Sequence, residues 1–119
     1  MLPDFLFPEA EVRKDGEGPP LSVENAIGRS VQITLGILEA VEQEFLDVQI
    51  YGSPTGDEWI AKPLAAFGQK FYKGTYTLVL DLAATPDVQF LRVKFKANRW
   101  GHWGTGPVFK FFVFAQLSG

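Results

Sequence analysis

Apolar and polar residues alternate over most of the chain after residue 30, and this period of two predicts strands. Two stretches show the pattern most clearly, residues 30–38 and residues 90–98. Their apolar sides are formed by Val31, Ile33, Leu35 and Ile37 and by Leu91, Val93, Phe95 and Ala97. Apolar residues nowhere keep a helical spacing for about a dozen residues. The pattern therefore predicts an all-β protein.

Further strands are predicted over residues 46–51, 71–82 and 108–117, separated by segments rich in turn-forming residues. The acidic segment 39–44 is predicted to join the first two strands into a hairpin. Pro63 predicts that residues 59–67 are irregular or form an edge strand. We expect one antiparallel β-sandwich of the jelly-roll type with about seven or eight strands. A closed barrel remains the alternative. Residues 1–119 form this single domain, with 1–20 as an N-terminal arm and loop.

The last predicted strand is apolar on both of its sides. Phe109, Phe111, Val113 and Ala115 are predicted to fill the core, which leaves Val108, Phe112 and Phe114 on the opposite side. Large apolar patches are rare on the surface of monomers, so either the N-terminal arm or another subunit should cover this side. We therefore predict a homo-oligomer whose interface includes Phe112 and Phe114. The arm residues Phe5 and Phe7 are predicted to dock on a neighbouring subunit. The alternative is that the arm is a short N-terminal edge segment joined to the body by a flexible loop.

A resemblance rests on the segment from Gly52 to Trp59, which reads Gly-Ser-Pro-Thr-Gly-Asp-Glu-Trp after an alternating strand. It resembles the hairpin of galactose-binding-like (discoidin-type) β-sandwiches, although Thr55-Gly56-Asp57 stands where that hairpin usually has Asp-Gly. The likeness covers about residues 30–115. It is greatest to small stand-alone sandwich proteins of phages and prophages, often associated with tails or virions. The resemblance implies a β-sandwich with a structural or binding role, and it carries over no active-site residue.

Composition removes several classes of function. The chain has no cysteine, which excludes disulfides and thiolate zinc sites. Its net charge of −3 argues against a nucleic-acid partner. Apolar runs are shorter than a membrane span requires, so no membrane partner is expected. The first residues lack the basic start of a signal peptide, which predicts a cytoplasmic or virion-associated protein.

Candidate chemistry is sparse. His102 is the only histidine, and no metal-ligand spacing surrounds it. Asp57 and Glu58 lack the spacing of a calcium loop. We therefore predict no catalytic residue, no metal, no cofactor and no enzymatic activity. Arg92, Lys94 and Lys96 are predicted to be the polar side of an ordinary strand rather than a site for a polyanion.

The segment 99–107, rich in glycine and tryptophan, is the best candidate for a binding loop. Arg99, Trp100, His102 and Trp103 are its candidate ligand-binding residues, since tryptophan stacks on sugar rings and arginine donates hydrogen bonds beside it. The alternative is that Trp100 and Trp103 cap one end of the sandwich. The sequence thus predicts a non-catalytic structural or assembly protein that acts through self-association, and the resemblance implies a phage- or prophage-derived virion or tail component. The partners are other copies or other virion proteins, and the alternative function is a carbohydrate-binding module.

Overall fold

Two antiparallel sheets pack face to face in the computed structural model, which describes residues 2–12, 15–40, 44–70, 73–99 and 109–118. The strands are β1 (Asp4–Val12), β2 (Gly16–Glu17), β3 (Leu21–Ser22), β4 (Ser30–Ala40), β5 (Glu44–Ser53), β6 (Ala65–Lys70), β7 (Gly74–Asp81), β8 (Phe90–Arg99) and β9 (Phe109–Leu117). Two short 3₁₀ turns, Glu24–Ala26 and Leu82–Ala84, lie between strands. The predicted all-β sandwich is confirmed. The described residues form nine strands where about seven or eight were expected, because β2 and β3 are additional two-residue strands.

The four-stranded sheet has the order β1-β9-β4-β7, and the second sheet has the order β2-β8-β5-β6, with β3 also paired to β8. The last strand, β9, therefore lies between the first strand and β4. The arm predicted over residues 1–20 contributes β1, which pairs with β9 along most of its length. Leu6 of this strand is completely buried, so β1 is part of the core structure.

The core lies between the sheets, where the apolar sides of the alternating strands meet. Each of the predicted rows on β4, β8 and β9 is buried. Leu46, Val48 and Ile50 of β5 complete the layer from the second sheet. Burial of these rows is the main source of stability, because each large apolar side chain contributes about 1.5–3 kcal/mol when removed from water.

The predicted hairpin between β4 and β5 is wrong. β4 pairs with β7 and β9, whereas β5 pairs with β6 and β8, so the two consecutive strands belong to different sheets. Alternation shows that each strand has one buried side, but it does not show which strand is its hydrogen-bonded neighbour. Two consecutive strands can lie in facing sheets and bury their apolar sides against each other equally well. The hairpin is instead formed by β5 and β6, around the turn that follows Gly52.

Candidate functional site

An aromatic patch formed by Phe5, Phe112 and Phe114 lies on the outer face of the four-stranded sheet. The ring of Phe5 meets Phe114 at a centroid distance of 4.9 Å and Phe112 at 5.9 Å, both edge to face. Phe5 is 42% exposed and the other two rings are half-buried. Edge-to-face rings attract each other beyond their loss of water-exposed area. The patch is therefore an ordered aromatic surface.

Strand pairing builds this patch. Phe5 on β1 lies directly opposite Phe114 on β9, and such cross-strand neighbours pack side by side. Gly36 on β4 lies opposite Phe112, and a methyl group at Gly36 would overlap that ring. The ring therefore occupies the space next to Gly36 on β4. Glycine is required at this position because an aromatic ring occupies the space of a side chain.

The outer face around the patch carries no charged residue between the ends of three neighbouring strands. We call it the neutral face; it consists of Gln32, Thr34, Gly36 and Leu38 of β4, Thr75, Thr77 and Val79 of β7, and Phe112, Phe114 and Gln116 of β9. Val79 is 60% exposed. Charges begin at the rim, where Lys110 of β9 pairs with Glu9 of β1 at 3.9 Å. A neutral centre with a charged rim is the usual arrangement of a protein interface.

Phe7 lies on the other side of β1 from Phe5. Its ring stacks on Phe111 at 4.9 Å and meets Phe95 edge to face at 5.1 Å, between the two sheets. Register shifts on either side of Phe7 break the alternation of β1. Of the four residues predicted for an interface, the structure thus brings Phe5, Phe112 and Phe114 together, whereas Phe7 packs, partly buried, against the core of its own chain.

The predicted binding loop, residues 99–107, lies outside the described residues except for its first residue. Trp100, His102 and Trp103 lie outside the described residues, and Arg99 is placed only by its backbone, which pairs with Glu44 at the end of β8. Carbohydrate binding through this loop therefore stays a prediction.

A polar groove of about 310 Å³ crosses the outer face of the five-stranded sheet. It is lined chiefly by Asp47, Gln49 and Tyr51 of β5 and by Lys94 and Lys96 of β8. Lys94 lies 4.7 Å from the centre of the Tyr51 ring, and the Tyr51 hydroxyl donates to Gln49 at 3.0 Å. Acidic, basic and amide groups all face this groove, so it offers both donors and acceptors of hydrogen bonds.

Beside the groove, Arg92 connects two parts of this polar face. Its guanidinium lies 4.2 Å from the centre of the Trp59 ring, and Nη1 lies 3.5 Å from a carboxylate oxygen of Glu17. The predicted polar row Arg92, Lys94 and Lys96 is confirmed as the outer side of β8. The contacts of Arg92 with the Trp59 ring and of Lys94 with the Tyr51 ring were not predicted. The signal was present, since Tyr51 alternates in phase with Asp47 and Gln49 on the partner strand.

The turn that carried the family resemblance has a structural role in this chain. The buried hydroxyl of Ser53 accepts hydrogen bonds from the amides of Gly56 at 2.8 Å and Thr55 at 3.2 Å, and donates to the carbonyl of Glu58. Gly56 has a φ of +87°, which favours glycine. Asp57 and Glu58 point to solvent. The turn thus holds Trp59 beside Arg92.

The described part of the chain contains neither a cluster of metal ligands nor a helix that could span a membrane. Over the described ranges, no three His, Asp or Glu side chains are grouped so that they could hold a metal ion. No helix within the same ranges has the length and apolar character needed to cross a bilayer.

The fold of this chain is similar to folds seen in solved structures. No protein-family model matches the sequence, and no curated protein matches it significantly. Among solved structures, the SPBc2 prophage-derived protein YomS is similar, with a TM-score of 0.52 and 12% identity, over 98% of this chain and 96% of that chain. The K3 cleaved adhesin domain of Lys-gingipain from Porphyromonas gingivalis W83 is similar with a TM-score of 0.51 and 13% identity.

The second match covers 84% of this chain, which spans 62% of the length of the adhesin domain chain. At these identities the likeness shows the fold alone. The resemblance to small sandwich proteins of prophage type is confirmed at the level of the fold.

Proposed function

We propose that this protein is a non-catalytic structural or assembly component of phage or prophage type, virion-associated, that acts by binding a second copy of itself. The observation that carries the proposal is the aromatic patch of Phe5, Phe112 and Phe114, which continues the neutral face onto β1. The whole-chain match to a prophage-derived protein supports the phage setting.

The patch has the properties of an interface centre. Aromatic side chains provide much of the binding energy in protein interfaces, and the centres of interfaces are depleted of charge. Rings that are already packed on each other lose little side-chain entropy on binding. A two-fold axis would place the same face opposite itself, which is the usual way in which identical subunits associate.

The absence of catalysis is proposed from the state of the polar groups. Side chains of the polar groove are engaged with one another, since Lys94 lies over Tyr51 and Tyr51 donates to Gln49. Arg92 is held between Trp59 and Glu17. Such contacts stabilise a surface, and none of them activates a base or a nucleophile in the part of the chain that the structure describes.

Two matched substitutions test the proposal on the full chain. Thr34→Lys places a charge beside Phe114 in the neutral face, and Gln49→Lys places the same charge on the polar face. We expect multi-angle light scattering to show an oligomer for the native chain and for Gln49→Lys. For Thr34→Lys we expect the dissociation constant to rise at least about thirtyfold, as for a disrupted interface hot spot.

A native chain that is monomeric at tens of micromolar would overturn the proposal, and so would equal effects of the two lysines. A deletion of the N-terminal arm is a poor test, because it removes the buried residues Leu2 and Leu6 and with them part of the core.

Carbohydrate binding is the second candidate, and the polar groove favours it. The groove combines Tyr51 with acidic, basic and amide groups, and its volume of about 310 Å³ lies at the lower end of small-molecule sites. A glycan array probed with the native chain and with Tyr51→Ala tests this candidate. Glycan signals that disappear in Tyr51→Ala would support the groove, signals that persist would point to the loop containing Trp100 and Trp103, and an array without signals would reject both.

A further inference from the structure

The four edges of the two sheets differ in how well they are protected from pairing with another strand. β2 and β3 form one edge with only two residues each. β1 contains Pro8 and two register shifts. β6 contains Gly68 at a φ of +76°, and its pairing with β5 is interrupted by a register shift. Short strands, prolines and bulges are the features by which proteins prevent edge-to-edge association.

β7 has none of these features. It pairs with β4 in unbroken register over eight residue pairs, from Gly74 opposite Ile37 to Asp81 opposite Ser30. Its sequence between Gly74 and Leu80 is Gly-Thr-Tyr-Thr-Leu-Val-Leu, without proline or charge and rich in strand-favouring residues. Among the described residues, no strand pairs with its outer edge. A long, regular, uncharged edge strand is a template for a further strand.

We propose that β7 pairs antiparallel with β7 of a second copy of this chain, so that the two four-stranded sheets become one continuous sheet. This surface differs from the aromatic patch. The inference rests on the proposed function only in requiring the same partner, a second copy.

The register follows from the residues. With Thr77 on the two-fold axis, Thr75 of each copy lies opposite Val79 of the other, and Tyr76 lies opposite Leu78. Lys73, just before the strand, then lies opposite Asp81 at both ends. Each pair joins residues that are on the same face, as an antiparallel ladder requires. This register alone places the basic start of the strand against its acidic end.

The inner side of β7 packs within its own chain. Contacts with a second copy would therefore be made by the β7 main chain and by the side chains on its outer side. Lys70 of β6 lies 4.3 Å from the centre of the Tyr76 ring. The outer side presents Thr75, Thr77 and Val79, all exposed. In the joined sheet these side chains would form a mixed threonine and valine ladder, a combination that favours strand pairing. Because the two-fold axis runs through the sheet plane from face to face, the neutral faces of both copies would lie on the same side.

Single cysteines test this register, because the native chain has none. Residues directly opposite in a ladder have Cβ atoms about 4.5–5.5 Å apart, close to what a disulfide spans. Under mild oxidation Thr77→Cys should form a covalent dimer on a non-reducing gel. Thr75→Cys and Val79→Cys should each run mostly as uncross-linked chains, because neither position lies opposite itself. A mixture of the two variants should form a disulfide-linked heterodimer.

Thr34→Cys is the matched control, since Thr34 lies beside Thr77 on the neutral face but one strand further from the edge. Cross-linking at Thr34 without cross-linking at Thr77 would overturn edge pairing while leaving association through the aromatic patch intact. Cross-linking at all positions alike, or at none, would also overturn edge pairing.

Charge reversal provides a second readout at positions outside the neutral face. Lys73→Glu places like charges opposite each other at both ends of the ladder, and we expect about a tenfold weaker association. Adding Asp81→Lys should restore it. Lys62→Glu, the same change in an exposed loop, should have no effect. Equal weakening by Lys62→Glu and Lys73→Glu would contradict the proposed register.

Discussion

The two outer faces of this sandwich present surfaces of opposite character. The neutral face has phenyl, methyl, hydroxyl and amide groups, with the aromatic patch of Phe5, Phe112 and Phe114 along its β1 side. On the polar face two cations have partners within the chain, since Lys94 lies over Tyr51 and Arg92 lies between Trp59 and Glu17. Charged groups that already have partners and water have little to gain from a protein partner, whereas exposed rings gain by leaving water. The difference points to the neutral face as the one for association.

The largest expected effect is on the free energy of unfolding, and it differs between the buried side and the outer side of β9. Phe111→Ala should lower the free energy of unfolding by about 3–5 kcal/mol, because the fully buried ring packs on Phe7 and Phe95. Phe114→Ala should cost about 1–2 kcal/mol, since its ring is half-buried. Urea unfolding followed by tryptophan fluorescence measures both. If the patch is an interface, the cost of Phe114→Ala should grow with protein concentration, and the cost of Phe111→Ala should not.

The next effect concerns the support of the patch. Gly36→Ala should cost about 1–3 kcal/mol, because the new methyl group overlaps the ring of Phe112 and forces it to move. The same substitution made together with Phe112→Ala should cost much less, because the overlap is gone. Equal costs in the two backgrounds, measured by urea unfolding, would show that the ring does not rest on Gly36.

A smaller effect is expected on the polar face. Arg92→Met should cost about 1 kcal/mol, from the contact with Trp59 and the ion pair with Glu17. The loss should shrink in high salt, which screens the ion pair. Lys62→Met removes the same charge from an exposed loop, and unfolding experiments should find it within about 0.5 kcal/mol of the native chain. A loss at Arg92 that is independent of salt would assign the effect to packing alone.

The smallest effect is that of Tyr51→Phe. It removes the hydrogen bond to Gln49 at the surface and keeps the ring beneath Lys94, so the cost should be about 0.5 kcal/mol. Thermal unfolding of this variant beside the native chain measures it. A cost above about 1.5 kcal/mol would mean that the hydroxyl is part of a more deeply buried network.

Much of the fold was predictable because burial follows alternation. The inward rows of β4, β8 and β9 are those that the sequence marks, and the apolar outer side of β9 was recognised as needing a cover. The strand pairing was not predictable, since alternation is a property of a single strand and does not say which sheet the strand joins. This is why β4 and β5 were assigned to one hairpin although they face each other across the core.

The candidate site was predictable only in part, for a similar reason. In a regular strand Phe5 and Phe7 would share one side, and the sequence gives no sign of the register shifts that turn Phe7 inward. Gly36 carried a signal that could have been read, because a glycine inside a strand indicates a close approach of another group. The pairing of Arg92 with Trp59 depends on how the turn at Ser53 folds, which local sequence alone does not determine.

The place of β9 between β1 and β4 has a consequence for how the sheet assembles. Among the described residues, β9 is the strand that joins β1 to the rest of its sheet. Before β9 is in place, β1 has no partner strand and β4 is paired with β7 alone. Closing this sheet therefore requires segments more than 100 residues apart in the sequence to meet, such as Phe5 and Phe114, and such distant contacts slow folding. A substitution that weakens β9 would leave the edges of β1 and β4 open to other chains and make the chain more prone to aggregate.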